Sequence, residues 1–170
     1  GKDLILSSLL GTYVMGNYVE EGRINTTGTA NLTGNSLSNI LYAGAGNNVL
    51  DGGAGTDVDT VSYQYGLVSG AAVGVSVSLA ITGAQDTGRS GSDTLTNIEN
   101  LVGSGLNDTL VGSAGNNMLD GGSGTDSLVG GLGNDTYVIN TSADSIVEHA
   151  NEGIDTVNVL FSGYTLGANI

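Results

Sequence analysis

Short glycine-rich segments recur along this chain with a period of nine residues. Three consecutive units run from 34 to 60, an isolated copy lies at 88–96, and five more, the last of them degenerate, run from 103 to 147. The clearest copies read GGAGTD (52–57), GGSGTD (121–126) and GGLGND (130–135). A fixed short period is the signature of a solenoid, in which each repeat buries its apolar face only by stacking on its neighbours. This period therefore constrains the fold more than any other property of the chain.

Each nine-residue unit predicts a turn followed by a short strand. Its first six residues are rich in Gly, Asn and Asp, which tolerate positive φ and favour sharp turns, and its eighth residue is usually large and apolar. Two units would form one coil of 18 residues, with the eighth-position residues buried between two stacked parallel sheets. Between the runs, apolar residues alternate with small ones from Val61 to Leu79, which predicts a hairpin of two strands. The predicted fold class is all-β, with parallel β-roll segments joined by a β-hairpin spacer.

The repeats divide the sequence into five predicted segments. These are an N-terminal strand segment (1–33), a first β-roll run (34–60), a hairpin spacer (61–87), a second β-roll run (88–147) and a final strand segment (148–170). A longer period relates the two ends, because Gly1 and Asp3 return as Gly153 and Asp155. We therefore interpret the chain as one unit of a tandem array.

Composition excludes several classes of protein. Seventeen acidic residues oppose three basic ones, giving a net charge of −14, so nucleic acid and anionic lipid are unfavourable partners. The absence of cysteine excludes a disulfide scaffold and a zinc–thiolate site. No stretch approaches the roughly 20 apolar residues of a membrane-spanning helix, so we predict no membrane insertion. So many uncompensated carboxylates destabilise a compact state unless a cation binds.

Stacking at 18 residues predicts where such a cation binds, because it places the sixth residues of successive turns side by side. Stacked carboxylates repel each other unless a cation lies between them, and Ca²⁺ takes six to eight oxygen ligands from carboxylates and backbone carbonyls. We therefore predict several bound Ca²⁺ ions. The predicted stacked pairs are Asn39 with Asp57, Asp108 with Asp126, Asn117 with Asp135, and Asp126 with Asp144; Asn48 and Asp93 occupy the same position in other units.

The units resemble the RTX, or haemolysin-type, calcium-binding nonapeptide G-G-x-G-x-D-x-U-x. The resemblance implies that one ion binds the carbonyls of the second and fourth residues of one turn, those of the first and third residues of the turn 18 later, and both sixth-position side chains. The implied ligands are Ser104, Leu106, Asp108, Gly121, Ser123 and Asp126 for one ion; Ser113, Gly115, Asn117, Gly130, Leu132 and Asp135 for a second; Asn35, Leu37, Asn39, Gly52, Ala54 and Asp57 for a third; and Gly122, Gly124, Asp126, Ile139, Thr141 and Asp144 for a fourth.

Enzymatic and carbohydrate-binding interpretations have weaker support. His149 is the only histidine and lies outside any GxSxG motif, which argues against a serine hydrolase. The string GSGTDSLVGG imitates a dinucleotide-binding loop, but its glycines recur every nine residues. A carbohydrate binder would need an exposed aromatic cluster, for which Tyr63, Tyr65 and Tyr137 are the candidates.

The sequence thus predicts a non-catalytic, calcium-folded module of a large secreted or cell-surface bacterial protein. It would serve as an adhesin stalk, a spacer or a filament-forming subunit, and the resemblance implies type I secretion to an extracellular location. The predicted partners are calcium and neighbouring copies of the module, stacked head to tail. The alternative is a calcium-binding accessory module of a secreted enzyme such as an alginate epimerase, lipase or protease.

Overall fold

The computed structural model describes residues 2–8, 10–66, 68–70 and 72–170, which form short strands joined by glycine-rich turns. Gly1, the first residue of the predicted tandem period, lies outside the described residues. Within them, the helical content is one 3-10 turn, Gly88–Ser90, and no helix is long and apolar enough to cross a membrane. The strands are β1 (Leu4–Ser7), β2 (Gly11–Val14), β3 (Glu21–Ile24), β4 (Ala30–Thr33), β5 (Ile40–Tyr42), β6 (Asn48–Asp51), β7 (Thr60–Ser62), β8 (Ser76–Ser78), β9 (Gln85–Asp86), β10 (Ser92–Thr96), β11 (Asn100–Val102), β12 (Thr109–Val111), β13 (Met118–Asp120), β14 (Ser127–Val129), β15 (Thr136–Ile139), β16 (Ser145–Val147) and β17 (Thr156–Val159).

The strands form a parallel solenoid of eight coils. One wall is an eight-stranded sheet in the order β1-β3-β5-β7-β11-β13-β15-β17. The other wall consists of a five-stranded sheet, β2-β4-β6-β10-β9, and a four-stranded sheet, β16-β14-β12-β8. Every pairing is parallel except that of β9 with β10. The predicted all-β, parallel β-roll class is thereby confirmed.

The register in the second run equals two nonapeptides. Leu110 lies opposite Leu128 in β12 and β14, and Leu119 lies opposite Tyr137 in β13 and β15. Each pair is therefore 18 residues apart, and each places one eighth-position side chain directly over the next. This register positions the intervening turns on the same edge of successive coils.

The eighth-position side chains form the core. Members of this row have no solvent exposure: Leu41, Leu50, Leu110, Leu119, Leu128 and Tyr137. Burying each Leu contributes about 1.5–3 kcal/mol relative to leaving it exposed. Leu32, Val61 and Leu101, which lie outside the best nonapeptides, are equally buried and continue the same core.

The hairpin predicted over 61–87 is not formed by the described residues. β7 pairs in parallel with β5 and β11, whereas β8 lies in a different sheet and pairs in parallel with β12. Val61 and Val77 each enter the common core through these parallel pairings, with at most 1% exposure. Alternating apolar residues indicate a strand without specifying its partner. The predicted strands are therefore present, but their predicted pairing with each other is wrong.

Because β7 joins β5 to β11, the eight-stranded sheet passes from the first predicted run into the second. The segment between β7 and β10 is an enlarged coil, which contains β8, β9 and the 3-10 turn. The turns that precede the strands of the eight-stranded sheet therefore belong to one stack.

Candidate metal centre

Several turns are closed by their own sixth-position side chain. The backbone N–H of Ser104 donates to Asp108 Oδ2 at 2.6 Å, and the N–H of Ser113 donates to Asn117 Oδ1 at 2.7 Å. The first run repeats this bond, since the N–H of Asn35 donates to Asn39 Oδ1 at 2.7 Å. An acceptor four residues after the start of a tight turn satisfies an N–H that has no strand partner.

Glycine is required where successive turns approach each other. Gly122 and Gly124 have φ angles of 74° and 142°, a region that other residues rarely adopt. A Cβ at Gly122 would collide with the carbonyl oxygen of Ser104, and a Cβ at Gly124 with that of Leu106. These two carbonyls of one turn therefore point at the next turn.

The same approach recurs in the other predicted sites. The carbonyls of Ser113, Gly115 and Asn35 face the glycines of the following turn, Gly131, Gly133 and Gly53 respectively. The carbonyls of the first-position residues Gly121, Gly130 and Gly52 face back onto Gly103, Gly112 and Gly34. Ser123, Leu132 and Ala54, at the third position, are exposed at the turn tips, and Leu37 is half-buried. In the fourth predicted site, the carbonyl of Gly122 accepts a hydrogen bond from the side-chain amide of Asn140.

Three predicted sixth-position pairs are brought together. The backbone N–H of Asp108 donates to Asp126 Oδ1 at 2.9 Å, that of Asn117 to Asp135 Oδ1 at 2.7 Å, and that of Asp126 to Asp144 Oδ1 at 3.0 Å. Each bond spans 18 residues, so each side chain is held by the coil before it. All five side chains are at most 7% exposed.

The predicted pairing of Asn39 with Asp57 is wrong. The N–H of Asn39 donates instead to Asp59 Oδ1 at 2.7 Å, and β5 pairs with β7 so that Ile40 lies opposite Thr60. Val58 and Asp59 are an insertion of two residues that lengthens this coil from 18 to 20. Asp57 is consequently exposed, while Asp59 is 6% exposed and occupies the stacked position.

The predicted site residue Asn48 has a partner that the nine-residue period does not reveal. Its N–H donates to Asp93 Oδ1 at 2.8 Å across 45 residues of sequence. Asp93 is fully buried, and its Oδ2 accepts the hydroxyl of Thr87 at 3.1 Å. The enlarged coil between β7 and β10 brings this pair together.

The stacked positions also form a longer ladder than the nonapeptides indicate. An acidic residue or an asparagine directly precedes every strand of the eight-stranded sheet. Its hydrogen bonds include Asp3 N–H to Glu20 Oε2, Asp59 N–H to Glu99 Oε2 and Asp135 N–H to Asp155 Oδ1, each at 2.9 Å. The signal that could have identified the additional members is this single polar position before each strand. In chain order the ladder consists of Asp3, Glu20, Asn39, Asp59, Glu99, Asn117, Asp135 and Asp155.

Burial dominates the electrostatics of the stacked acidic side chains on both walls. It raises the pKa of Asp126 to about 6, where the N–H of Asp108 lowers the pKa and the charges of Asp108 and Asp144 raise it further. Burial likewise raises the pKa values of Asp59 and Asp93 to about 6. A carboxylate held in this way strongly favours a neighbouring positive charge. The ion pairs among the described residues are Lys2 with Glu21 and His149 with Glu152, so none neutralises these positions.

The arrangement fits a hard, oxygen-binding cation. Asp126 Oδ2 and Asp135 Oδ2 are buried without a hydrogen-bond partner, although buried carboxylate oxygens are normally satisfied. Backbone carbonyls from two successive turns point into the same region. Carboxylate and carbonyl oxygens are the ligands of Ca²⁺, and Asn117 and Asn48 would supply weaker, neutral oxygens.

The side chains considered for other functions lie elsewhere. The ring of His149 is exposed and hydrogen-bonds through Nδ1 to Glu152 Oε2 at 2.9 Å. Tyr63 and Tyr137 are fully buried core residues, which removes two of the three aromatic candidates for carbohydrate binding. Tyr65 is 46% exposed, with Arg23 3.8 Å above its ring and Tyr42 beside it.

The fold and these turns define a parallel β-roll whose inter-coil oxygens are suited to calcium. Consistent with this class, the family model of the RTX calcium-binding nonapeptide repeat matches four copies, within residues 27–58 and 102–137. The chain therefore carries RTX calcium-binding nonapeptide repeats over these residues. No curated protein matches the sequence closely enough to count as a relative.

Proposed function

We propose that this chain is a calcium-folded, non-catalytic module of a large secreted or cell-surface protein, in which it acts as a stalk, spacer or filament subunit. The observation that carries the proposal is the stacking of buried carboxylates between coils, together with backbone carbonyls of one turn that point at the next turn. The pairs Asp108–Asp126 and Asp126–Asp144 place three carboxylates on consecutive turns without a neutralising side chain among the described residues. Calcium is the ligand that satisfies both sets of oxygens.

Calcium binding and folding are coupled in this proposal. The inter-coil oxygens converge only when successive turns are stacked, so the unfolded chain has no site and binding free energy becomes folding free energy. Extracellular calcium modules have affinities of about 10⁻⁴ to 10⁻³ M. A chain of this kind stays extended where calcium is scarce and folds after export, which supports the secreted or surface location.

A structural role is supported by the distribution of the acidic side chains. The one histidine is exposed and bonds to Glu152, and the buried carboxylates are spread along the solenoid from Asp59 to Glu148. The family matched by the repeats is named for calcium binding, and no catalytic family is indicated.

Head-to-tail stacking is supported by the two ends of the eight-stranded sheet. β1 and β17 are its opposite edges, and the corresponding residues Asp3 and Asp155 directly precede them on the same ladder. β1 exposes Leu4 and Leu6, which are 50% and 59% accessible. An unpaired parallel edge with apolar side chains is a template for another strand, so a neighbouring unit would continue the sheet.

A calcium titration followed by far-UV circular dichroism tests the proposed function. We expect the chelator-treated chain to gain β-sheet signal with Ca²⁺ and not with Mg²⁺, which demands closer, octahedral ligands. A fold that is indifferent to chelator would overturn the proposal. Sedimentation velocity over a range of protein concentrations in Ca²⁺ tests stacking, and a monomer at every concentration would argue against assembly of separate modules.

A further inference from the structure

Three carboxylates converge at the last coil of the solenoid. Asp135, Glu148 and Asp155 each offer one oxygen, and these oxygens lie within 4.8 Å of one another. Asp135 precedes β15, Glu148 follows β16 and Asp155 precedes β17, so three successive elements contribute to the cluster. None of the RTX ligand sets implied by the sequence contains Glu148 or Asp155.

Each of these carboxylates has one oxygen engaged and one oxygen without a partner. Asp135 Oδ1 accepts the N–H of Asn117, Asp155 Oδ1 accepts the N–H of Asp135, and Glu148 Oε1 accepts the hydroxyl of Tyr137. The other oxygens, Asp135 Oδ2, Asp155 Oδ2 and Glu148 Oε2, are buried and make no hydrogen bond. Asp135 is 1% exposed and Glu148 is 8% exposed. Buried anionic oxygens of this kind require a cation or a proton.

Glu148 occupies a position that is glycine in the regular turns. A Cβ at the first-position residues Gly121 or Gly130 would collide with the sixth-position carboxylate of the same turn. The turn from Glu148 to Asp155 contains eight residues instead of six, and this added length accommodates a side chain there. The other eight-residue turn, from Gly52 to Asp59, keeps glycine at its first position. The third carboxylate is thus particular to the last coil.

We propose that Asp135, Glu148 and Asp155 bind a divalent cation of calcium size at the C-terminal end of the solenoid. Ca²⁺–oxygen distances of about 2.3–2.6 Å allow ligand oxygens up to about 5 Å apart, whereas the shorter Mg²⁺ distances allow only about 4 Å. The three oxygens, all within 4.8 Å of one another, fall inside the reach of a single ion of calcium size. Among the described residues, no lysine or arginine forms an ion pair with the three carboxylates. Asp155 is half-buried, which gives the ion a route from solvent.

Equilibrium dialysis with Ca²⁺ on the whole chain tests this site. Glu148→Gln removes the charge and keeps an oxygen that can accept the Tyr137 hydroxyl, so the fold is retained, and Asp155→Asn is a second, independent variant. The matched control is Glu152→Gln, which removes the same charge from the same turn, because Glu152 bonds only to His149 through its side chain. We expect Glu148→Gln and Asp155→Asn each to bind one ion fewer than the wild type, and Glu152→Gln to bind the full number.

An unchanged ion number and unchanged affinity in both Glu148→Gln and Asp155→Asn would overturn this site. The test is independent of the proposed function, because circular dichroism of the same samples reports whether calcium folds the roll. Loss of one ion from a chain that folds without calcium would support this site alone. A calcium-folded chain whose ion number is the same in all the variants would support the nonapeptide sites and remove this one.

Discussion

Replacing Asp126 with asparagine should stabilise the calcium-free chain and weaken its response to calcium. Asp126 is 2% exposed, accepts the N–H of Asp108 through Oδ1 and leaves Oδ2 without a partner. Its own N–H donates to Asp144, so it lies between two predicted ions. The substitution keeps the oxygen acceptor and removes one negative charge from the middle of the stack.

The magnitude without calcium follows from the pKa of Asp126. Burial raises it from an ordinary 3.8 to about 6, which corresponds to about 3 kcal/mol against the ionised carboxylate at pH 7.5. An amide fits this position, since the equivalent Asn117 donates its side-chain NH₂ to the carbonyl of Glu99 at 2.6 Å. We therefore expect Asp126→Asn to raise the free energy of unfolding in chelator by about 1–3 kcal/mol.

With calcium the effect should reverse, because a neutral amide oxygen binds Ca²⁺ more weakly than a carboxylate. Urea unfolding in saturating Ca²⁺ and osmolyte-induced folding of the extended chain in chelator, both followed by circular dichroism, measure the two effects. The calcium-dependent gain in unfolding free energy should shrink by more than about 1.4 kcal/mol, a factor of ten in the apparent binding constant. The control is Asp86→Asn, whose exposed carboxylate bonds only to the N–H of Gly88. An equal loss of stability in both conditions, or an unchanged calcium gain, would refute the reasoning.

Four further predictions concern the turns and the core. Asp59→Asn should shrink the calcium-dependent gain by about 1.4 kcal/mol or more, whereas Asp57→Asn should leave it unchanged within error; the reverse order in the same assays would contradict the 20-residue register. Burial raises the pKa values of Asp59, Asp93 and Asp126 from 3.8 to about 6, so the contribution of these three side chains to calcium-free stability is full below pH 3.8 and is lost as pH rises through about 6; circular dichroism in chelator should show β-sheet signal falling over that interval, and a signal that rises with pH would oppose this sign. Gly124→Ala forces a φ of 142° and a collision with the Leu106 carbonyl, and should cost about 1–3 kcal/mol in calcium-saturated unfolding. Leu119→Ala empties a fully buried position in the core and should cost about 2–5 kcal/mol by thermal or urea unfolding, with calcium stoichiometry unchanged.

Where the nine-residue period is unbroken, the sequence predicts both the fold and the stacked pairs. Asp108 with Asp126 and Asn117 with Asp135 lie two units apart, and their contacts follow from the length of one coil. The inward position of Leu110, Leu119 and Leu128 follows in the same way. Each is the middle residue of a three-residue strand and the eighth residue of its unit, a position that is large and apolar and must be buried. These features depend only on local spacing.

Insertions break the nine-residue spacing on which these predictions depend. Asp57 and Asp59 are both aspartates near the end of one turn, and only the register of β5 on β7 selects Asp59. The cluster of Asp135, Glu148 and Asp155 depends in the same way on a turn of eight residues, since its geometry arises from the altered path of the chain. A pattern built on six-residue turns does not predict where the side chains of a longer turn point.

The sequence by itself determined the class of this protein, a parallel β-roll with oxygen-rich turns between its coils, because a regular period with one large apolar residue per unit has one efficient way to bury its core. Only the tertiary structure decided how the irregular parts join it. Asn48 meets Asp93 across 45 residues, and Val61 and Val77 enter the core through different sheets. The physical reason is that pairing between strands distant in sequence is selected by burial of the whole stack, which no local pattern encodes.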